Sequence, residues 1–330
     1  MRQMRPYADY PMCETGRLGK RTKEDKIMAR TKEQTLCKMT SAKAAHMLWL
    51  KYFTDVIALF GLNFLAGAGH MTEQEAGEAA MIFTAISWIL WFLILYFHRN
   101  FRKRWLWEKR GRMTLPVFIC CVGITLLIQY LSTALLAGIE ILLNNWGIGL
   151  NGQSEYLDQI SLVAVISACL IAPFFEELLF RGLIQGVLAK HVSPRVGIFV
   201  SAVLFALLHQ NLEQGIFTFL FGLLLGIVAY RYSLYAAIAL HAFNNTLSEV
   251  ALFLTNGGKA MLLPTAILGF LIIFTMVTAI VICIKRRSKI GAILREGKGA
   301  ISWLNCLRSK RFIAVSILLI VGMLGDFVRI

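Results

Sequence analysis

The chain has 330 residues, of which 57% are hydrophobic and only 16% are charged. Soluble domains carry about 25% charged residues, so this composition excludes an ordinary soluble enzyme, and its abundance of apolar side chains excludes an intrinsically disordered chain. We therefore predict an integral membrane protein. Its formal net charge of +15 then reflects Lys and Arg in loops, and their distribution indicates which loops are cytoplasmic.

Apolar runs that are long enough to cross a bilayer recur along the chain. A hydrocarbon core of about 30 Å requires roughly 20 consecutive apolar residues in a helix. We therefore predict an all-α polytopic transmembrane bundle with eight spans, at 47–69, 79–98, 115–143, 158–181, 195–210, 214–231, 233–254 and 264–284. A ninth run, 312–325, is shorter, and the sequence leaves open whether it spans the membrane or lies along its surface.

The basic residues are concentrated in alternate connections between these runs. The tail 1–46 holds 11 Lys and Arg, the connection 99–112 holds 7, and the segment 285–311 holds 9, whereas 70–78 and 144–157 hold none. Cytoplasmic loops accumulate basic residues, so we predict a cytoplasmic amino terminus, with the cell membrane as the location. Because the charge is dispersed over loops and forms no single module with stacking aromatics, we predict no nucleic-acid partner.

The span 158–181 contains three charged side chains, Glu176, Glu177 and Arg181. A charge at the centre of a membrane helix costs about 2.5–3.5 kcal/mol, so each such group needs a partner or a function. Glu177 and Arg181 are four residues apart on one helix face, in the favourable order of acid before base, and we predict that they pair. Glu176 faces elsewhere and remains as a carboxylate for chemistry.

Two other spans carry further polar side chains. His209 ends one of them, and His241 and Asn245 lie four apart on one face of the other. If 190–195 forms a turn between antiparallel helices, Glu176 and His209 lie at the same depth. His241 reaches that depth only if the first hairpin projects further into the cytoplasm or its helix bends, so it is the third member of the predicted cluster.

This set of residues is compatible with two kinds of hydrolytic site. A glutamate can act as general base on water, while His and Asn stabilise the developing oxyanion. Alternatively Glu176, His209 and His241 form a two-His, one-carboxylate set that could hold a divalent metal such as zinc. A single glutamate cannot easily serve as metal ligand and general base together, and the sequence does not decide between the two sites.

The motifs that contain these residues resemble those of the CPBP family of intramembrane proteases, which includes type II CAAX prenyl endopeptidases and bacteriocin-processing or immunity relatives. The family patterns E-E-x-x-x-R, F-x-x-x-H and H-x-x-x-N occur here as Glu176-Glu177-Leu-Leu-Phe-Arg181, Phe205-Ala-Leu-Leu-His209 and His241-Ala-Phe-Asn-Asn245. The resemblance implies that Glu176 activates water, that Glu177 and Arg181 support it, and that His209, His241 and Asn245 bind the water, a metal or the oxyanion. The family is usually called a metalloprotease family.

The apolar runs, the basic segments and the motifs together divide the chain into four predicted parts. They are a basic cytoplasmic tail at 1–46, the first three spans at 47–157, a CPBP-like catalytic core at 158–254, and the C-terminal span or spans with a basic segment at 255–330. The predicted function is endopeptidase cleavage of a membrane-associated or lipid-modified peptide or protein, at a site that opens toward the cytoplasm and lies within the lipid bilayer.

Other interpretations use the same residues. A noncatalytic membrane binding or immunity protein could have this fold, and a transporter would also carry intramembrane carboxylates, although no inverted repeat is evident. Outside the motifs, we interpret Lys51 and Asp55 as an ion pair without chemistry, and Gly222 and Gly226 as a close helix-packing face.

Overall fold

The computed structural model of the protein describes residues 42, 45–62, 64, 72–97, 111–150, 162–191, 193–257, 261–285, 287, 309–325 and 327–329. Nearly all of the predicted tail 1–46 and most of the basic segments 99–112 and 285–311 lie outside the described residues. The described part contains helices and one short pair of strands. In chain order the elements are α1 (45–62), α2 (Glu73–Phe97), α3 (Leu115–Asn144), β1 (Ile148–Leu150), α4 (162–191), α5 (Pro194–Leu208), α6 (Leu212–Arg231), α7 (Leu234–Asn256), α8 (Leu262–Lys285), α9 (Lys310–Leu324) and β2 (Phe327–Arg329).

The described helices have the length and surface expected of an integral membrane protein. Five segments are long and apolar enough to cross a bilayer, namely Glu75–Ile94, Leu115–Asn144, Leu162–Ala189, Gln214–Arg231 and Leu262–Lys285. Large apolar side chains such as Leu131 (64% exposed) and Phe270 (67% exposed) face outward. A soluble protein rarely exposes such extended apolar surface, whereas lipid solvates it. The protein is thus an all-α membrane bundle, as predicted. Five segments of the described residues meet this criterion, so the predicted count of eight or nine spans is not confirmed.

Helices α5, α6, α7 and α9 each begin with a side chain that accepts a hydrogen bond from the first turn, as α2 does with Thr72. Such N-caps satisfy backbone N–H groups that have no partner within the helix. The capping residues are Ser193, Asn211, Ser233 and Ser309, which accept from the N–H groups of Val196, Gln214, Ala236 and Phe312. The polar residues between apolar runs therefore fix where α5, α6, α7 and α9 start.

Helix α4 is not a regular α-helix and continues past the predicted end of its span. Two π-helical stretches, Ser167–Ile171 and Leu178–Gln185, alternate with the α-helical segments Leu162–Ile166, Ala172–Glu177 and Gly186–His191. Pro173, which lacks an N–H group, follows the first π stretch and removes a donor from the helix ladder. Because π turns change the rise and rotation per residue, they redirect the side chains that follow them.

The helices pack around two clusters of buried apolar side chains. The larger cluster joins α1, α2, α4, α5 and α9 and includes Trp91, Phe180, Phe205 and Leu319. The second joins α3, α6 and α7 and includes Cys121, Phe221, Leu225 and Leu240. The polar side chains of the predicted site lie where α4, α5, α6 and α7 meet, between these two clusters.

The last helix and strand fasten the end of the chain to the bundle. Helix α9 packs against α5, and β2 pairs antiparallel with β1 in the register Ile148 with Arg329 and Leu150 with Phe327. The segment after α3 and the segment after α9 therefore lie at the same end of the bundle. The apolar run 312–325, which the sequence left undecided, forms most of α9.

Candidate active site

The predicted ion pair within α4 forms at full burial. Arg181 Nη1 donates to Glu177 Oε1 at 2.7 Å, and neither side chain is exposed. Arg181 Nη2 also donates to the carbonyl of Gly222 at 3.2 Å. A buried charge is costly unless an opposite charge and hydrogen bonds compensate it, and both are present here. The prediction that Glu177 is neutralised by Arg181 is thereby confirmed.

The two glycines of the G-x-x-x-G pair in α6 make room for side chains of α4. Arg181 and Gln185 donate to the carbonyl oxygens of Gly222 and Gly226 at 3.2 and 2.8 Å. A Cβ atom on Gly222 would lie 3.1 Å from Arg181 Nη2, and one on Gly226 would lie 2.9 Å from Gln185 Oε1. The predicted packing face is confirmed by contact with Ala202, and it also positions the buried arginine.

Gln185 was not identified from the sequence, although a signal for it exists. Glu177, Arg181 and Gln185 follow one another at intervals of four residues, the same interval that separates Gly222 from Gly226. When residues on two neighbouring helices recur at the same interval, two pairs of them can be in contact. Recognising this match would have required knowing that the two helices are in contact.

His241 in α7 connects the ion pair to the second glutamate. Its Nδ1 donates to Glu177 Oε1 at 3.0 Å, because an ionised carboxylate can only accept. In the neutral ring Nε2 then carries a lone pair, and it lies 3.8 Å from Glu176 Oε2. With a regular α-helical rise, His241 was predicted to reach the depth of Glu176 only if a helix bent or the first hairpin projected further. In the structure α4 is partly π-helical, and His241 lies next to both glutamates.

Glu176 and Glu177 are neighbours with different surroundings. The side chain of Glu176 is 15% exposed, whereas that of Glu177 is fully buried. Glu177 accepts hydrogen bonds from Arg181 and His241 and is buried, so Glu176 is the carboxylate that a water molecule or substrate could reach. This difference agrees with the predicted division between a reactive and a paired glutamate.

The side of the site next to Glu176 is formed by α1 and α2. Phe175 stacks on Trp88 with ring centroids 6.0 Å apart, and Lys51 Nζ lies 4.1 Å from the centroid of Trp88. Lys51 is buried, pairs with Asp55 and donates to Ser87 Oγ at 2.9 Å. The predicted Lys51–Asp55 pair therefore forms, and it belongs to a polar network that borders the site.

Phe205 separates the two histidines. Its ring is fully buried, with the His209 ring centroid at 4.9 Å and the His241 ring centroid at 5.8 Å, both in edge-to-face geometry. The guanidinium carbon of Arg181 lies 4.4 Å from the Phe205 ring centroid. The phenylalanine of the F-x-x-x-H pattern therefore contacts three of the predicted site residues, which the sequence had not indicated.

His209 lies at the carboxyl end of α5. Its Nδ1 donates to the carbonyl of Phe205 at 2.8 Å, which in the neutral ring leaves Nε2 as an acceptor. The described side-chain contacts of His209 are with Phe205, and none is with Glu176, so the predicted equal depth of His209 and Glu176 stays a prediction.

Asn245 supports α4 at the site of its first π stretch. Its Nδ2 donates to the carbonyl of Ala168 at 2.8 Å. In an i to i−5 pattern that carbonyl would accept from residue 173, which is proline and has no N–H group. Asn245 thus satisfies a carbonyl that Pro173 leaves open, and its amide retains a second hydrogen for another acceptor.

Comparison with protein families covers this part of the chain. Residues 158–247 match the family described as type II CAAX prenyl endopeptidase Rce1-like, and this range includes all three motifs. We call residues 158–247 the CPBP segment because of this similarity. No curated protein and no solved structure matches the chain. At the level of the family, the CPBP segment is similar to a CAAX-type intramembrane protease.

The two-His, one-carboxylate set that could hold zinc in the CPBP segment is not assembled in this structure. Among the residues that the structure describes, no group of three His, Cys, Asp or Glu side chains is placed to hold a metal ion. Glu176 and His241 are close, but Phe205 separates the rings of His241 and His209. Among the described residues, one imidazole rather than two therefore lies beside the Glu176 carboxylate.

Proposed function

We propose that the protein is an intramembrane endopeptidase in which Glu176 activates water for attack on a peptide bond. The observation that carries this proposal is the pair formed by Glu176 Oε2 and His241 Nε2, which are 3.8 Å apart. This separation is too long for a direct hydrogen bond and suits a water molecule that donates one hydrogen to each atom. The oxygen of that water would direct a lone pair away from both groups, toward a substrate carbonyl.

In the proposed reaction Glu176 takes a proton from the water while the water oxygen attacks the carbonyl carbon of the substrate. The carbonyl becomes a tetrahedral oxyanion, and Glu176 then returns the proton to the nitrogen of the leaving amine, so that the peptide bond breaks. General acid–base assistance of this kind contributes about 10²–10⁴-fold to rate. The partial exposure of Glu176 supports this assignment, because the base must reach water.

Glu177 and Arg181 hold His241 in place, and with it Nε2, the atom that accepts a hydrogen bond from the water in this proposal. Arg181 fixes Glu177 at 2.7 Å, and Glu177 fixes His241 Nδ1 at 3.0 Å. A hydrogen bond to Nδ1 selects the tautomer whose Nε2 accepts a hydrogen bond. The buried ion pair therefore has a positioning role for His241 in this proposal.

Asn245 and His209 are the proposed donors to the oxyanion. Asn245 uses one amide hydrogen on Ala168 and has a second available. His209, held through Nδ1 on Phe205, donates from Nε2 when its ring is protonated on both nitrogens. Removal of one such donor in other hydrolases costs about 10²–10³ in kcat. None of these steps passes through a metal ion.

The proposed substrates are membrane-associated or lipid-modified peptides and proteins. The site belongs to helices that are embedded in lipid, and a substrate held at the bilayer reaches such a site more readily than a soluble one. The match to CAAX prenyl endopeptidases favours cleavage near a lipid-modified residue. Access from the cytoplasmic side, with the protein in the cell membrane, is part of the proposal.

Cells provide the test, because the substrate is unidentified. Peptides from the membrane and the medium are compared for cells that express the wild type, Glu176→Gln or Glu140→Gln at equal levels. Glu140→Gln is the matched control, since it makes the same change on α3, away from the site. We expect a precursor to accumulate, and its shorter product to disappear, with Glu176→Gln alone.

An unchanged set of peptides with Glu176→Gln, together with an intact biological phenotype, would instead support a noncatalytic binding protein. A change that also appears with Glu140→Gln would indicate a general effect of altering a membrane carboxylate. The precursor and product sequences would name the cleaved bond and show whether the substrate carries a lipid.

A further inference from the structure

A lysine outside the CPBP segment is held inside the bundle beside the site. Lys51, near the start of α1, is only 2% exposed. Its ammonium donates to Ser87 Oγ at 2.9 Å and lies 4.1 Å from the centroid of the Trp88 ring, both on α2. A lysine near the end of a membrane helix normally extends its charged head toward water. Here a hydroxyl group and an indole ring keep the charged head inside the bundle instead.

Trp88 connects this lysine to the helix that carries the proposed general base. The Trp88 indole stacks on Phe175 of α4 with ring planes 7° apart, and Phe92 meets the same phenylalanine edge to face. Phe175 is the residue before Glu176. The ammonium of Lys51 therefore lies one indole ring away from the neighbour of Glu176, and the charges of Lys51 and Glu176 interact.

Two cations lie near three carboxylates in this part of the bundle. Arg181 and Lys51 both interact with the charge of Glu176. The charge of Arg181 is already matched by Glu177, at 2.7 Å and full burial. The side chain of Asp55, the partner of Lys51, is 38% exposed, so its charge does not depend on Lys51 alone. Lys51 is thus the cation that is available to Glu176.

We propose that Lys51 acts on the reaction through Glu176, as a positioning residue whose positive charge keeps the Glu176 carboxylate ionised inside the bundle. This inference rests on the proposed function, in which ionised Glu176 takes a proton from water. The His241 ring, neutral in that proposal, offers Glu176 no positive charge. A carboxylate without a compensating charge in a region of low dielectric constant takes up a proton, and a protonated Glu176 cannot accept another from water. The ion pair with Asp55 therefore has a role in the chemistry that its spacing alone did not indicate.

Removal of the charge tests the proposal, with the full chain and the substrate peptide that the comparison of cells identifies. Lys51→Met keeps an unbranched apolar stem of similar length but removes the ammonium. We expect kcat to fall by about 10–10²-fold, a part of the 10²–10⁴-fold that a general base contributes. KM should change little, because the buried Lys51 side chain does not reach the substrate.

Lys285→Met is the matched control, because it removes an exposed lysine at the end of α8. It should retain the wild-type rate. Wild-type kcat in Lys51→Met overturns the proposal. A change confined to KM also overturns it, because Lys51 would then act in substrate binding.

Two further variants separate the charge of Lys51 from its ion pair with Asp55. Asp55→Asn leaves the lysine in place and should keep the wild-type kcat. Lys51→Met/Asp55→Asn removes both charges, so it should unfold at a higher temperature than Lys51→Met while its kcat stays as low. If Lys51 only neutralises Asp55, the double variant recovers the wild-type kcat, which overturns the proposal. A loss of kcat in Asp55→Asn as large as that in Lys51→Met overturns it too.

A double-mutant cycle tests whether Lys51 acts through Glu176. In the Glu176→Gln background there is no carboxylate to keep ionised, so Lys51→Met should lower the residual rate no further. A further loss as large as that of Lys51→Met in the wild type would show that Lys51 acts elsewhere.

Failure of the proposed function would give a different result. If the wild type and Glu176→Gln show equal rates in the same assay, the peptidase proposal fails, and the role of Lys51 in the reaction fails with it. If Glu176→Gln is inactive while Lys51→Met keeps the wild-type kcat, only the role of Lys51 is contradicted.

Discussion

Glu177 and Arg181 bury two opposite charges, and each has one polar atom without a partner. Glu177 Oε2 and Arg181 Nε are buried and make no hydrogen bond, although the facing atoms of the pair are well matched. Pairs of this kind contribute little net stability compared with apolar residues, but removal of one partner leaves the other charge uncompensated. The pair therefore makes the core sensitive to single changes.

Replacement of one member of the pair should cost much more than replacement of both. We expect Arg181→Met to lower the free energy of unfolding by about 3–5 kcal/mol, because it leaves the Glu177 carboxylate buried and unpaired. The double variant Arg181→Met/Glu177→Gln should regain most of this loss, because a Gln amide oxygen still accepts from His241. Unfolding of the purified protein in detergent measures both effects.

Arg112→Met provides a control for this experiment, because Arg112 is exposed. It should unfold like the wild type. If Arg181→Met also unfolds like the wild type, the pair does not hold the buried charges as described.

The residues that the sequence could predict are those whose partners lie nearby on the same helix. Glu177 and Arg181 are four apart, and this spacing alone predicts their contact. The bond between Gln185 and Gly226 joins positions 41 residues apart and depends on how α4 and α6 pack. A single sequence contains no direct record of that packing.

At the scale of elements, α4 depends on a partner that is distant in the chain. The Ala168 carbonyl lacks a donor because residue 173 is proline, and Asn245 supplies one from α7. The sequence showed both Pro173 and Asn245, and it predicted a bend as one way to bring His241 to the site. It could not show that Asn245 donates to the first π stretch, because that contact depends on how α4 and α7 pack.

A double-mutant cycle tests this link between α4 and α7. Asn245→Ala should lower stability by about 1 kcal/mol, the lower end of the cost of an unsatisfied acceptor, because this hydrogen bond is only partly buried. In the Pro173→Ala background residue 173 regains an N–H group, so the same change should cost less. Coupling energies between residues in one hydrogen-bond network are about 0.5–3 kcal/mol, and thermal unfolding of the four proteins would yield the value here.

Ser248→Ala is the control for the cycle. Ser248 Oγ donates to the carbonyl of Asn244 within α7 and has no described contact with Ala168 or Asn245, so its effect should be additive with Pro173→Ala. Equal costs of Asn245→Ala in the two backgrounds would show that Pro173 is not the reason for this hydrogen bond.

At the scale of the whole molecule, topology connects the charge pattern to the fold. The distribution of Lys and Arg predicts a cytoplasmic amino terminus and an external segment 144–157. In the structure this segment contains β1, which pairs with β2 near the carboxyl terminus. If β1 is external, β2 must be external as well, and α9 crosses the membrane.

Reporter fusions can test this arrangement. A reporter fused after residue 150 and one fused after residue 330 should both be external, while one at the amino terminus should be cytoplasmic. Opposite locations for the first two would contradict the strand pairing. Two cytoplasmic locations would instead preserve the pairing but reverse the predicted orientation and the side from which substrate enters.

The fold class and the family were predictable because they depend on composition, on apolar run length and on three short motifs. The number of spans was less predictable from the sequence. Helices α5 and α9 are each only 15 residues long, and α4 continues through its π stretches to residue 191. Run length alone does not reveal how a short helix is accommodated by its neighbours. The position of Lys51 beside the site likewise depends on the assembled bundle.

The most direct test of the account is the cleavage rate of purified Glu176→Gln on the identified substrate peptide, measured in lipid beside the wild type and Glu140→Gln. Loss of a general base predicts a decrease in kcat of about 10²–10⁴-fold for Glu176→Gln, with Glu140→Gln near the wild-type rate. A rate for Glu176→Gln equal to that of the wild type would show that Glu176 does not activate the water, and would contradict the central claim.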